Sequence, residues 1–243
     1  MEDNKVGVIF GASSGVGAAC IERMKNFKKV YAISRRGKVL NDKQIETDLP
    51  ENILSIKCDV RDYKSVEYLL LNIEEDIDFI VSCVGVGFYA PIDNDYSSKW
   101  KDIFYTNVIG NVNILSNLVR HHNECKTAIV LGSVAAKRPS MTPGNEIYRA
   151  SKVALETFLN DFRSNIRSKN NFMKVCNLQP GFIEGTDFGR NFFEKNSDEN
   201  IDLYSSFTNL SPDDIAKTIN TILSVDDNID IGEIVIRPTE QPT

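Results

Sequence analysis

Histidine is nearly missing from this sequence: there are 2, adjacent at His121 and His122 near the end of an expected helix. They have no partners at metal-ligand spacing, so they read as surface residues and no zinc site is expected. Paired cysteines are also missing. The 5 cysteines, Cys20, Cys58, Cys83, Cys125 and Cys176, are scattered and form no C-x-x-C pair. An odd, dispersed set excludes a disulfide framework and points to a reducing compartment. Cys58, Cys83 and Cys176 sit in apolar runs, where Cys acts as a small buried hydrophobe. There is no basic excess, since 28 Lys and Arg face 34 Asp and Glu for a net charge of −6. Nucleic acid or an anionic membrane as partner is therefore not expected. Long apolar runs are absent as well. The chain starts on polar residues and its first apolar run is only a few residues long, so neither a leader nor a membrane span is expected. The resulting expectation is the cytoplasm.

Composition breaks, low-complexity stretches and fixed-period repeats are likewise lacking. The 243 residues are 42% hydrophobic, enough for one α/β domain over 1–243 without metal or disulfide support. Short apolar runs alternate with longer amphipathic stretches from end to end. Strands are expected at Lys5–Phe10, Lys29–Ser34, Leu54–Cys58, Phe79–Cys83, Ala128–Gly132, Lys174–Leu178 and Glu233–Arg237. They are rich in Val, Ile and Phe and bounded by Gly, Ser, Asp or Pro. Helices are expected at Gly15–Asn26, Tyr63–Glu74, Ser97–His121, Glu146–Ser168 and Pro212–Leu223. Ser211-Pro212-Asp213-Asp214 is a strong helix start, with a capping Ser, Pro at the first position and acids in the first turn. Strands apolar along their length and separated by helices indicate a parallel sheet covered on both faces. The stretch 184–209 is polar but carries Phe188, Phe192, Phe193, Tyr204 and Phe207. It reads as a substrate lid, with an ordinary surface helix pair as the alternative.

The first strand runs into Gly11-Ala12-Ser13-Ser14-Gly15-Val16-Gly17 and then a helix. Gly permits the tight turn and lets backbone N–H groups approach a phosphate, and the helix N-terminus adds donors and a positive dipole end. The spacing G-x-x-x-G-x-G differs from the common dinucleotide fingerprint, and a plain Gly/Ser turn is the bland alternative. The second strand ends in Ser34-Arg35-Arg36. An acid at that tip would bond the ribose 2′-hydroxyl of NAD, and an Arg there accommodates the 2′-phosphate of NADP. Two Args and no acid indicate NADP(H) in preference to NAD(H), with Arg35 as the expected contact. Asp59, in Cys58-Asp59-Val60, can accept from the adenine amino group. Gly85, in Ser82-Cys83-Val84-Gly85, lets the chain pass close to a ligand.

Tyr148 and Lys152 are four apart near the start of an expected helix, so they share a face. An ammonium beside a phenol stabilises phenolate and lowers the Tyr pKa, which makes Tyr a usable acid/base. Such a pair also arises by chance in a chain with 8 Tyr, so its weight lies in its position after a strand ending in Gly132-Ser133. A Ser there can hydrogen-bond a substrate oxygen where charge develops.

These residues together resemble the short-chain dehydrogenase/reductase family over nearly the whole chain, in motif order as well as content. Gly11, Gly15 and Gly17 match the family's Gly-rich motif. Asn107, Ser133, Tyr148 and Lys152 match its active-site quartet, and Pro180-Gly181 matches its Pro-Gly after the sixth strand, with Ile183 and Thr186 downstream. The resemblance implies a single doubly wound, Rossmann-type α/β domain with seven parallel strands. It implies an oxidoreductase that moves hydride between a nicotinamide and a carbonyl or secondary alcohol. Tyr148 would be the acid/base, Lys152 would also bind the nicotinamide ribose, Ser133 would hold the carbonyl, and Asn107 would position a relay water. The cofactor-binding set is then Gly11, Ser13, Ser14, Gly15, Val16, Gly17, Arg35, Asp59, Val60, Gly85, Tyr148, Lys152, Pro180, Gly181 and Ile183.

The chain also departs from the family pattern. Phe10 stands where Thr often precedes the first Gly, Ser14 where a basic residue often supports NADP, and Ser82-Cys83-Val84-Gly85 where Asn-Asn-Ala-Gly is usual. The loop holding Arg138, Pro139, Met141 and Pro143 is slightly longer than usual. Val86, Phe88, Ala135, Met141, Phe182 and Phe188 suggest an apolar pocket for a small-molecule carbonyl. The family's pairing helices, 97–121 and 146–168 here, imply a homodimer or homotetramer. The alternative of another class is a cofactor-binding regulatory or scaffold protein without turnover, against which the complete quartet argues.

Overall fold

The computed structural model describes residues 4–41, 44–93, 95–138, 144–186 and 207–241. Seven strands form one sheet: β1 (Val6–Phe10), β2 (Lys29–Ser34), β3 (Ile53–Lys57), β4 (Phe79–Ser82), β5 (Thr127–Leu131), β6 (Lys174–Pro180) and β7 (Glu233–Ile236). The order is β3-β2-β1-β4-β5-β6-β7 and every pairing is parallel. The fold is therefore the expected Rossmann-type α/β sheet.

Both faces are covered because alternate strand residues serve two cores. Val8 and Phe10 pack with α2 (Tyr63–Leu71), α4 (Gly110–His121) and α5 (Glu146–Ser168), while Ile9 packs with α1 (Gly15–Arg23) and α6 (Pro212–Ser224). Each fully buried Ile, Leu or Phe contributes roughly 1.5–3 kcal/mol, so the sheet is held by its continuous apolar runs. Helix α6 shows how local sequence sets an element. Ser211 Oγ accepts from the Asp214 N–H at 3.2 Å, and Asp214 Oδ2 accepts from the Ser211 N–H at 2.9 Å, a reciprocal cap that satisfies two orphan donors.

Strand order reverses between β1 and β4. That switch point, outside the carboxyl ends of the strands, is where open α/β sheets bind ligands. The Gly-rich turn after β1 and the loop after β4 meet there.

Two expectations are corrected. The helix expected over Ser97–His121 is not one α-helix: α3 (Ser97–Phe104) passes through a π turn at Tyr105–Ile109 into α4. Within it the Gly110 N–H reaches back to the Tyr105 carbonyl. Phe104, Tyr105 and Ile109 stand exposed along this rod. His122 is not a surface residue. It is buried, with Nε2 2.8 Å from the Leu70 carbonyl and Nδ1 3.2 Å from Glu124, because the chain turns inward after α4. Of the expected lid, Phe188, Phe192, Phe193 and Tyr204 lie outside the described residues, as do Pro139, Met141 and Pro143. Among the described residues, no helix is long and apolar enough to cross a membrane.

Candidate active site

The Gly-rich turn is shaped by steric need. Gly11 and Gly15 have φ of +79° and +55°, a region that favours glycine. A Cβ on Gly11 would meet the Cys83 backbone at 2.9 Å, and one on Gly17 would meet the Gly11 carbonyl oxygen at 2.3 Å. The turn is anchored by Gly11 and Ala12 N–H groups donating to the Ile33 carbonyl at 2.9 and 3.0 Å. Ser14 caps α1 without a side-chain cap bond, and the first turn carries no acid, so the positive end of the helix dipole is uncompensated by a carboxylate. Thr186 lies over this turn, its Cγ2 3.4 Å from where a Gly15 Cβ would stand.

Sequence reasoning placed the adenosine contact on Arg35. The structure puts its neighbour on the Gly-rich turn: Arg36 Nη2 donates to both Ser13 Oγ and Ser14 Oγ at 2.8 Å. Arg35 sits close enough to Asp59 to help hold that carboxylate down, although the main cause is the Arg61 side chain. Arg61 grips both Asp59 oxygens and also reaches Asp102 at 2.9 Å. Val60 is buried against Gly110, and its carbonyl accepts from Asn113 Nδ2 at 2.9 Å.

At the other end, residues distant in sequence converge. Tyr148 and Lys152 lie in the first turns of α5, both buried, as are Asn107 and Ser133. Ser133 hydrogen-bonds the Tyr148 hydroxyl and accepts from the Ala135 N–H at 3.1 Å. Lys152 Nζ donates to the Leu131 carbonyl at 2.9 Å and stands 5.8 Å from the Tyr148 ring centroid. A Cβ placed on Gly85 would lie 3.4 Å from Lys152 Nζ and 3.7 Å from Asn107 Oδ1. Gly85 itself is exposed, and the two groups lie buried directly behind it.

The electrostatics differ from the simple expectation. Burial pushes the Tyr148 phenol up to about 12, opposed only in part by the Ser133 hydrogen bond. Burial pulls Lys152 down to about 8. The ammonium does not bring the phenol toward neutrality here: desolvation dominates at Tyr148, and the Lys152 hydrogen bond goes to Leu131. At neutral pH both groups hold their protons.

Beyond β6, a Gly181 Cβ would stand 2.1 Å from Gln241 Oε1. That same oxygen accepts from the Phe182 N–H at 3.1 Å. Gln241 is buried, so the segment after β7 fixes the corner Pro180-Gly181-Phe182. Ile183 pairs with Leu210 in a parallel bridge, and Phe182 stacks on Phe207 with ring centroids 5.7 Å apart. Neither Arg36 nor Gln241 was singled out from sequence. Arg36 carried the same signal as Arg35, while Gln241 carried none.

A family model described as short chain dehydrogenase matches residues 5–197. The chain belongs to the short-chain dehydrogenase family. An NADP-dependent 3-hydroxy acid dehydrogenase of Salmonella typhi is 25% identical over 244 residues, covering 96% of this chain and 95% of that protein. Its counterpart in Schizosaccharomyces pombe is 26% identical over 250 residues, covering 98% and 94%. Human dehydrogenase/reductase SDR family member 11 is 22% identical over 251 residues, covering 99% and 96%. Among solved structures, the closed form of serine dehydrogenase complexed with NADP+ superposes with a TM-score of 0.84 at 22% identity, covering 98% of this chain and 96% of that one. The chain is thus a member of an oxidoreductase family with its fold intact from β1 to β7.

Proposed function

We propose that this short-chain dehydrogenase family member is an NADP(H)-dependent oxidoreductase that interconverts a carbonyl and a secondary alcohol, with Tyr148 as acid/base. The observation that carries the reading is the convergence of Tyr148, Ser133, Lys152 and Asn107 beside the exposed Gly85. The names of the similar proteins, several NADP-dependent, support the cofactor assignment.

The residues present fit a dinucleotide. Side chains at Gly11 and Gly17 would strike the chain's own backbone, so the glycines keep the turn tight, and the N-terminus of α1 turns backbone donors toward where a pyrophosphate would lie. Arg36, held by Ser13 and Ser14, and Arg35 beside Asp59 give two guanidinium groups for a 2′-phosphate. Asp59 and Val60 border the adenine end. Gly85, Lys152, Pro180, Gly181 and Ile183 border the nicotinamide end. When bound, the nicotinamide supplies or accepts the hydride.

The chain's own groups handle the proton and the developing charge. Ser133 donates to the substrate oxygen where negative charge builds. Tyr148, protonated at neutral pH, is set to deliver its proton to that oxygen, which favours carbonyl reduction. Lys152, charged below pH about 8, stabilises the phenolate that remains. Asn107 stands across Gly85 from Lys152, where it can hold a water that resupplies the proton.

The test is oxidation of NADPH, with NADH in parallel, against ketones, aldehydes, quinones and 3-oxo acids. Tyr148→Phe should lower kcat by about 10²–10⁴ while leaving cofactor binding intact. Wild-type turnover by the Phe variant would refute the role of Tyr148.

A further inference from the structure

The polar interior behind Tyr148 has a member that the proposed chemistry does not use. Asn111 lies on α4 one turn past Asn107 and is fully buried. Its Nδ2 donates to the Asn107 carbonyl at 2.8 Å, and its Oδ1 accepts from Ser82 Oγ at 2.6 Å. The polarity is forced. A carbonyl only accepts, so the amide nitrogen must face it, and Ser82 must then be the donor to Oδ1.

The next link is equally directional. Asn107 Oδ1 accepts from the Val86 N–H at 2.8 Å, and its Nδ2 donates to the Val86 carbonyl and to Ser151 Oγ, both at 3.0 Å. The Asn107 side chain thus pairs with residue 86 as a strand neighbour would. Ser151 passes the chain on to the Tyr148 carbonyl at 2.7 Å. A one-way run of hydrogen bonds therefore joins the end of β4 to the first turn of α5 through the π turn. Breaking one link inside it leaves a buried group unpaired.

Asn117 provides a built-in comparison. It is equally buried on the same helix and donates to the Asn113 carbonyl at 2.9 Å. Its Oδ1, however, is buried without a hydrogen-bond partner, so nothing ties it to the sheet as Ser82 ties Asn111.

We propose that Asn111 is a positioning residue for the reaction: anchored by Ser82, it holds the π turn so that Asn107 clamps Val86 and faces Lys152 across Gly85. This rests on the reading of Tyr148 and Lys152 given above.

The test compares Asn111→Leu and Asn117→Leu, with Ser82→Ala as a milder variant that keeps the fold should the first fail to accumulate. Amide hydrogen exchange of Val86 in the cofactor-free protein reads the clamp without any turnover. The kcat and its pH profile in carbonyl reduction read the consequence. Expected are about tenfold faster exchange at Val86 and at least a tenfold lower kcat in Asn111→Leu, with a shifted basic limb. Ser82→Ala should move the same quantities less, and Asn117→Leu should move neither. Unchanged exchange at Val86 in both Asn111→Leu and Ser82→Ala overturns the proposal. So does faster exchange with an unchanged kcat and pH profile, which would make the tie merely structural. Tyr148→Phe with full turnover would defeat the functional reading separately, while the exchange data would still decide the clamp.

Discussion

Lys152 should make this protein less stable than it need be, and the cost can be worked out. The amine is 4% exposed, and burial lowers its pKa from 10.5 to about 8. At about 1.4 kcal/mol per pH unit, holding the charged form in the folded protein at pH 7 costs about 3 kcal/mol. Replacing Lys152 with Met keeps the volume and removes the charge. The lost hydrogen bond to Leu131 takes back about 1 kcal/mol, so Lys152→Met should be about 2 kcal/mol more stable at pH 7. The sign of the pH dependence follows. Between about pH 8 and 10.5 the unfolded wild-type chain binds a proton at this site that the folded chain does not, so wild-type stability gains with rising pH in that window. The variant lacks this gain of about 3 kcal/mol, so its advantage should shrink, cross zero near about pH 9.5 and reverse to about 1 kcal/mol in favour of the wild type by about pH 10.5. Cys58, Cys125 and Cys176, whose thiols burial pushes up, titrate nearby but are common to both proteins and cancel in the difference. The assay is urea unfolding of both cofactor-free proteins under reducing conditions at one protein concentration, from pH 7 to 10.5. Equal stability at pH 7, or a difference that does not change across the window, would refute the reasoning. An inactive yet more stable variant would instead mark Lys152 as kept for its chemistry.

Two further predictions concern the cofactor end. Arg36→Leu should raise KM for NADPH roughly 10- to 100-fold, the worth of a charge-assisted contact of about 1.5–3 kcal/mol, and leave KM for NADH nearly unchanged; an equal loss with both cofactors in steady-state kinetics would rule out a 2′-phosphate role. Gly17→Ala should abolish NADPH binding in a fluorescence titration and destabilise the fold by about 1–3 kcal/mol, since its Cβ would stand 2.3 Å from the Gly11 carbonyl oxygen; normal binding and stability would mean that the turn yields more easily than its backbone contacts imply.

The sequence by itself determined the order and type of the elements. Fully apolar runs such as Val6–Phe10 can only be buried on both sides, and amphipathic stretches between them can only cover a parallel sheet. Ser211 with Asp214 wrote one helix start in full. The Gly-rich turn and the Tyr148–Lys152 spacing were also legible, because a turn's φ values and a helix face are local properties. Tertiary structure decided what depends on surroundings. Whether Arg35 or Arg36 reaches Ser13 and Ser14 is set by how β2 ends over the Gly-rich turn. The π turn at Tyr105–Ile109 has no local signature; the bonds from Ser82 and to Val86 that surround it come from other parts of the chain. Gln241 closes on Phe182 across 59 residues. The burial of Tyr148 and Lys152, which sets both proton affinities, exists only once α5 lies on the sheet. Spacing places two side chains on one face, but only the solvent excluded by the whole fold fixes how tightly each keeps its proton.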